Sequence, residues 1–212
     1  MQLNLYLEHT ILKQGLKKDN IEESVKLCLE NNLPTLVVPP SLVNLTSEII
    51  FTNALSLCTV IGFPLGYNSF SVKLYEIQDA IYNGANEIDL VIDNSLVKSG
   101  NWKQLNLEFA AYRKACGSRI LKVIIETSLL SIQEIINITT LLIENGIDFV
   151  KTSTGFVGEG AKLEHITLIK ETFKDQIKIK ASGGIRDRET VDKFIAAGAD
   201  RIGTSSTLKI LS

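Results

Sequence analysis

Short apolar runs alternate with longer amphipathic stretches from one end of this chain to the other. The short runs fall at 5–7, 35–38, 58–62, 87–91, 121–125, 148–151, 177–181 and 200–203. They are continuous in Val, Ile and Leu rather than cleanly alternating with polar residues, as parallel strands covered on both faces are. The stretches between them read as helices with recognisable ends. Ser131-Ile-Gln-Glu134 has the form of a capping box, and Gly146 closes the helix that follows it. Eight strands alternating with helices along 212 residues predict one α/β domain over 1–212, a single compact (β/α)8 TIM barrel with few insertions. A doubly wound open sheet would carry Gly-x-Gly-x-x-Gly after its first strand, and no such turn is there.

Three helix-to-strand joints repeat one another: Gly84-Ala-Asn-Glu-Ile-Asp89, Gly146-Ile-Asp-Phe-Val-Lys151 and Gly198-Ala-Asp-Arg-Ile-Gly203. They lie about two βα units apart, which makes Asp89, Lys151 and Gly203 equivalent positions on the fourth, sixth and eighth strands. Alternate strands of a barrel fill the same interior layer. An acid, a base and a glycine in one layer point to chemistry rather than to packing.

Composition narrows the field. A net charge of −2 with 45% hydrophobic residues excludes a general binder of nucleic acid or of membrane surfaces. No apolar run approaches the roughly 18 residues that cross a bilayer, and the N-terminal stretch lacks the basic and apolar regions of a signal peptide. Cys28, Cys58 and Cys116 are odd in number and widely spaced, as reduced, buried thiols of a cytoplasmic protein would be. The two histidines, His9 and His165, have no metal-ligand spacing, so no metal is expected.

Active sites of this fold lie at the carboxyl ends of the strands. Those ends read Glu8-His9-Thr10, Pro39-Pro40, Phe63-Pro64-Leu65-Gly66, Asp89, Glu126-Thr127-Ser128, Lys151-Thr152-Ser153-Thr154-Gly155, Lys180-Ala-Ser-Gly-Gly184 and Gly203-Thr-Ser-Ser206. A lysine at the end of an apolar strand must be paired, lose its proton or reach solvent. Lys151 and Lys180 close adjacent strands about 4.8 Å apart, so their mutual repulsion lowers one pKa, which is one route to a nucleophilic amine. Asp89 partners the lysine that stays charged. Lys178 lies two residues before Lys180 and reads as a strand-start residue reaching solvent at the barrel floor; sequence alone leaves open which of the two is catalytic. Gly183, Gly184 and the turn Gly203-Thr204-Ser205-Ser206, with Arg186 just beyond, form a candidate anion site. Thr10 and Thr154 add hydroxyls to the candidate substrate site. Glu126-Thr127 reads either as facing the mouth or as a helix cap, and His9 as a hydrogen-bonded strand-end residue.

The strings LEHTILK (7–13), TVIGFPLG (59–66), EIDLVID (87–93), LKVIIET (121–127), FVKTSTGF (149–156), IKASGGIR (179–186) and RIGTSS (201–206) resemble the deoxyribose-phosphate aldolase family over nearly the whole chain. The resemblance implies a class I aldolase that cleaves 2-deoxy-D-ribose 5-phosphate to acetaldehyde and D-glyceraldehyde 3-phosphate in deoxyribonucleotide breakdown, without metal or other cofactor. It implies Lys151 as the Schiff-base lysine, Lys180 as the lysine that lowers its pKa, and Asp89 as the relay aspartate. Gly155, Gly183, Gly184, Arg186, Gly203, Ser205 and Ser206 match the family's phosphate-binding turns, and dimers are common among its members.

Three positions depart from the family pattern. Glu8 stands where LDHT is usual, Val37 where many members have cysteine, and Glu159 brings an acid close to the expected phosphate. A sugar-phosphate epimerase and a catalytically silent barrel that binds a phosphorylated metabolite are the alternative readings.

Overall fold

The apolar runs form strands because their aliphatic side chains can be covered from both sides. In the computed structural model, which describes residues 2–50 and 54–212, the strands are β1 Leu7–Thr10, β2 Thr35–Val38, β3 Ser56–Ile61, β4 Glu87–Val91, β5 Ile120–Ile124, β6 Phe149–Lys151, β7 Lys178–Ser182 and β8 Arg201–Thr204. They pair in parallel in chain order, and β8 returns to β1 to close the barrel. Around it lie α1 Lys18–Glu30, α2 Val43–Ile50, α3 Phe70–Tyr82, α4 Asn94–Lys98, α5 Trp102–Cys116, α6 Ile132–Glu144, α7 Leu163–Phe173, α8 Arg188–Ala196 and α9 Thr207–Leu211. The expected (β/α)8 barrel is the observed one.

One element is displaced from its expected place. The run 5–7 lies mostly in a 3₁₀ turn, Leu3–Tyr6, and the first strand is Leu7–Thr10. Polar Glu8 and His9 mask this strand in the sequence. Both are buried because each has a partner: Glu8 binds Lys180, and His9 Nδ1 lies 2.9 Å from Thr207 Oγ1. His9 is thus the hydrogen-bonded strand residue the sequence suggested, and burial lowers its pKa to about 4.

Alternation along the strands separates two environments. Leu36, Leu57, Ile88, Leu121, Val150 and Ile179 are fully buried in the shell between barrel and helices. Each such side chain contributes about 1.5–3 kcal/mol by leaving water. The alternate positions are different: Val37, Cys58 and Val60 form a small separate apolar cluster, and buried charged residues occupy much of the remainder.

The repeated joints have a structural task. Gly84, Gly146 and Gly198 take positive φ after their helices, and the second residue beyond each joins the preceding strand. The side-chain oxygens of Asn86, Asp148 and Asp200 accept the N–H groups of Leu57 at 3.0 Å, Leu121 at 2.8 Å and Ile179 at 2.8 Å. Their own N–H groups donate to the carbonyls of those same three residues. Each Gly-x-Asx joint is thus a two-bond latch. The Ser131–Glu134 capping box also forms, with the bonds in both directions.

Asp148 additionally accepts from Arg113 Nη1 at 2.6 Å. Asp148→Ala should therefore cost about 2 kcal/mol, as loss of a partner for a part-buried N–H and a cation does. The expected result is a lower urea midpoint with an unchanged m-value.

Candidate active site

The charged residues inside the barrel come from five strands. Glu8 lies on β1, Glu87 and Asp89 on β4, Lys122 on β5, Lys151 on β6 and Lys180 on β7. Cα register places Asp89 beside Lys122 and Lys151 beside Lys180. Asp89 is central to them, in the middle of β4 rather than at its carboxyl end as the sequence suggested. Its Oδ2 accepts from Lys151 Nζ at 2.7 Å and from Lys180 Nζ at 2.7 Å. Its Oδ1 accepts from Lys122 Nζ at 3.1 Å and from the Cys58 thiol at 3.3 Å. Lys180 also binds Glu8, and Lys122 also binds Glu87 and lies 3.7 Å from Glu8 Oε1. Three ammonium groups thereby meet three carboxylates. An isolated charge at this depth would cost several kcal/mol, so pairing is the condition of burial.

The lysines differ in how many acids they face. Lys122 faces three and Lys180 two, whereas Lys151 has Asp89 alone, which it shares. Burial pushes all three pKa values down. At Lys122 the surrounding acids outweigh it and hold the ammonium well above its ordinary pKa; at Lys180, Asp89 and Glu8 do the same to a smaller extent. At Lys151 burial wins over Asp89, with Lys180 adding to the depression, and the pKa falls. The sequence assigned that depression to Lys180; the larger cause is burial. Burial also raises the Asp89 pKa, but Lys122, Lys151 and Lys180 together hold it well below the usual carboxylate range.

A cleft of about 270 Å³ opens at the carboxyl ends of β6, β7, β8 and β1. Lys151 lines it and is 3% exposed, whereas Lys122, Lys180 and Asp89 are at 0%. Thr10, Thr154, Gly155, Gly183, Gly184, Arg186, Gly203 and Ser205 line it too. Ser206 does not. It flanks α9, its N–H donating to Thr204 Oγ1 at 3.0 Å. Glycine is required at 183, where φ is 91° and a Cβ would lie 2.9 Å from Gly160 Cα and 3.3 Å from Gly155 Cα. Gly203 serves the lysine cluster as well, since a Cβ there would come within 3.1 Å of Lys180 Cε. Lys178 is exposed, its Nζ 5.5 Å from the Phe149 ring centroid at the barrel floor, as expected.

Several residues escaped the sequence reading. Lys122 carries the same signal as Lys151, a cation within an apolar strand. Glu87 opens its strand, and Lys13 joins Arg186 as an exposed cation of the cleft. Glu126 neither faces the cleft nor caps α6. It has φ 54°, a left-handed backbone that costs about 1–2 kcal/mol at a non-glycine residue, and its Oε2 accepts from Thr154. Glu8, with its extra methylene, reaches Lys180 and so supports the cluster. Val37 packs with Cys58 and Val60, an apolar group that borders the cluster through the Cys58 thiol.

Glu8, Cys58 and Asp89 place potential donor atoms within 4.8 Å of one another, a spacing that could hold a metal ion. The same carboxylates already accept from lysine ammonium groups, and burial holds the Cys58 thiol far above its ordinary pKa. Lysines fill the place of a cation in this donor set.

Comparison with known proteins gives consistent matches. Residues 56–212 match the DeoC/LacD family aldolase model. The chain is 40% identical over 210 residues to deoxyribose-phosphate aldolase 1 of Vibrio vulnificus (strain YJ016), covering 99% of this chain and 96% of that one. It is 42% identical over 205 residues to deoxyribose-phosphate aldolase of Clostridioides difficile (strain 630), covering 97% and 93%. Among solved structures, it superposes on the aldolase QR15 with TM-score 0.92 and 43% identity, covering 97% of this chain and 92% of the other. The tetrameric deoxyribose phosphate aldolase of Aeropyrum pernix gives TM-score 0.88 at 29% identity, covering 99% and 89%.

Removing Lys122 leaves Glu87 and Asp89 short of a buried cation. Lys122→Met should lower stability by about 3–5 kcal/mol in urea unfolding, and adding Glu87→Gln should return part of it.

Proposed function

The chain belongs to the DeoC/LacD aldolase family, and from that membership we propose that it cleaves 2-deoxy-D-ribose 5-phosphate reversibly to acetaldehyde and D-glyceraldehyde 3-phosphate through an imine on Lys151. One observation carries the assignment of the nucleophile. Of the three lysines in the cluster inside the barrel, Lys151 is the one that both faces the cleft and has its pKa lowered.

The unprotonated Lys151 amine attacks C1 of the open-chain sugar, and loss of water gives an iminium. The C2–C3 bond breaks, and its electron pair passes to the iminium to leave a two-carbon enamine on Lys151. The C3 hydroxyl loses its proton as C3 becomes the aldehyde of glyceraldehyde 3-phosphate. Protonation of the enamine and hydrolysis then release acetaldehyde. Asp89 and Lys180 do not line the cleft, so they exchange protons with substrate through Lys151 or a water. Asp89 holds both amines and is kept ionised in the resting site by the ammonium groups around it, so it is the acceptor for the proton that it then passes on. Cleft residues Gly183, Gly184 and Ser205, flanked by Arg186 and Lys13, receive the phosphate and so fix the aldehyde end at Lys151.

An epimerase would need acid and base groups facing one carbon, and of the buried ionic cluster the cleft presents Lys151 alone. A silent barrel was suggested by Glu8, but Glu8 here completes the pairing of Lys180.

Incubation with acetaldehyde and sodium borohydride, followed by intact mass and peptide mapping, tests the reading. One ethyl group on Lys151 is expected, with none on Lys151→Ala and no turnover by that variant. A Lys151→Ala protein of near wild-type rate would reject the mechanism. The pH dependence follows from the pairing. Trapping requires neutral amine, so it rises with pH through a Lys151 pKa that lies below the ordinary 10.5. Lys180→Met removes a depressing cation and leaves Asp89 more fully to Lys151, so the inflection should move up and trapping at pH 7 should fall at least about tenfold.

A further inference from the structure

Beyond β5 the chain turns on Glu126, whose left-handed backbone sets its side chain towards the neighbouring β6–α7 connection. The side chain is buried, and one oxygen accepts two bonds from one residue: 3.0 Å from the Thr154 N–H and 2.7 Å from the Thr154 hydroxyl. That hydroxyl also accepts from the Phe156 N–H at 3.2 Å. Thr154 stands between Lys151 and Gly155 along the rim of the cleft.

The two halves of this segment are held by different means. Lys151 is fixed by the barrel: its carbonyl accepts from Ile125 N–H at 3.0 Å, and its Nζ lies on Asp89. Thr152 still bonds to either side, its N–H donating to the Lys180 carbonyl of β7 at 3.0 Å and its carbonyl accepting from Thr127 N–H in the turn after β5 at 2.8 Å. Past it, the Ser153 carbonyl accepts from Ser182 Oγ at 2.5 Å and the Ala161 N–H donates to the Gly183 carbonyl at 3.2 Å, while Thr154 itself is held by Glu126 and the glycines between by close backbone approaches. Gly155 and Gly160 press on Gly183, and a Cβ on Gly158 would lie 2.1 Å from Ser128 Oγ. The Gly155–Gly183 contact joins the two sides of the candidate anion site.

We propose that Glu126 is a positioning residue for the phosphate end of the substrate. By fixing Thr154 it sets the Gly155 edge of the cleft against Gly183, and it acts on phosphate affinity rather than on the reactivity of Lys151. The proposal rests on the aldolase reading above and deepens it.

Steady-state cleavage of 2-deoxyribose 5-phosphate and of unphosphorylated 2-deoxyribose by wild type, Glu126→Ala and Glu126→Gln separates the roles. Glu126→Ala should raise KM for the phosphorylated sugar about tenfold, while kcat/KM for the unphosphorylated sugar changes by less than about twofold. Glu126→Gln keeps an oxygen that can accept both bonds, and should return KM to within about threefold of wild type. Equal losses on both sugars, or an unchanged KM, would overturn the proposal. Glu126→Asp, which draws the carboxylate back from Thr154, provides the same comparison if Glu126→Ala does not fold; a phosphate-selective KM rise of about threefold is expected, and its absence would count against the proposal. Borohydride trapping of acetaldehyde keeps the two readings apart. A wild-type protein that does not trap on Lys151 removes the aldolase reading, whereas normal trapping without phosphate selectivity in the variants removes only the role of Glu126.

Discussion

Asp89 is shared by three lysines, and the interior of the barrel is arranged around that sharing. One carboxylate cannot neutralise three ammonium groups, so Glu87 and Glu8 complete the balance, at Lys122 and Lys180 respectively. The distribution is uneven, and the unevenness has a chemical result. The amine with fewest acids around it is also the one that faces the cleft. A cluster that gave each lysine its own acid would bury the same charges and leave no amine disposed to lose its proton.

This arrangement explains what surrounds it. The outer shell of aliphatic side chains supplies the hydrophobic stabilisation that a barrel of this kind ordinarily also draws from its interior. In the interior, apolar residues such as Val37, Cys58, Val60 and Ile124 share the space with the charged cluster. Gly203 gives up a side chain where Lys180 needs room. Phe149 lies beside the cluster at the barrel floor, its ring centroid 6.0 Å from Lys122 Nζ and 5.5 Å from Lys178 Nζ, so an aromatic face separates the buried cation from the exposed one.

The architecture was legible in the sequence because the outward-facing positions of β2 to β8 are apolar but for Thr59 and Thr204. The first strand was not, since its Glu8 and His9 depend on Lys180 and Thr207, partners from the other end of the chain that local pattern does not reveal. Lys151 and Lys180 stood out as strand lysines, and the repeat singled out Asp89. Lys122 had the same kind of signal but sat mid-strand, away from the hydroxyl-rich turns that drew attention elsewhere. Glu126 was ambiguous for a different reason: its role depends on a left-handed backbone, and nothing in the residue type announces one. Ser206 looked like a cleft residue because its neighbours are, yet its backbone is engaged in the turn that starts α9.

The Gly-x-Asx latches join β4 to β3, β6 to β5 and β8 to β7. Elsewhere the Thr59 hydroxyl donates to the Val38 carbonyl and joins β3 to β2, Asp89 with Lys122 joins β4 to β5, and Lys180 with Glu8 reaches across β8 from β7 to β1. Six of the eight strands are thus grouped in two-strand modules, each latched through backbone groups, with an ion pair tying the β3–β4 module to the β5–β6 module. A circular permutant opened after β4 or β6 would keep every module as one continuous piece. Opening the chain between β5 and β6 would ask the Asp148 latch to hold together two chain ends.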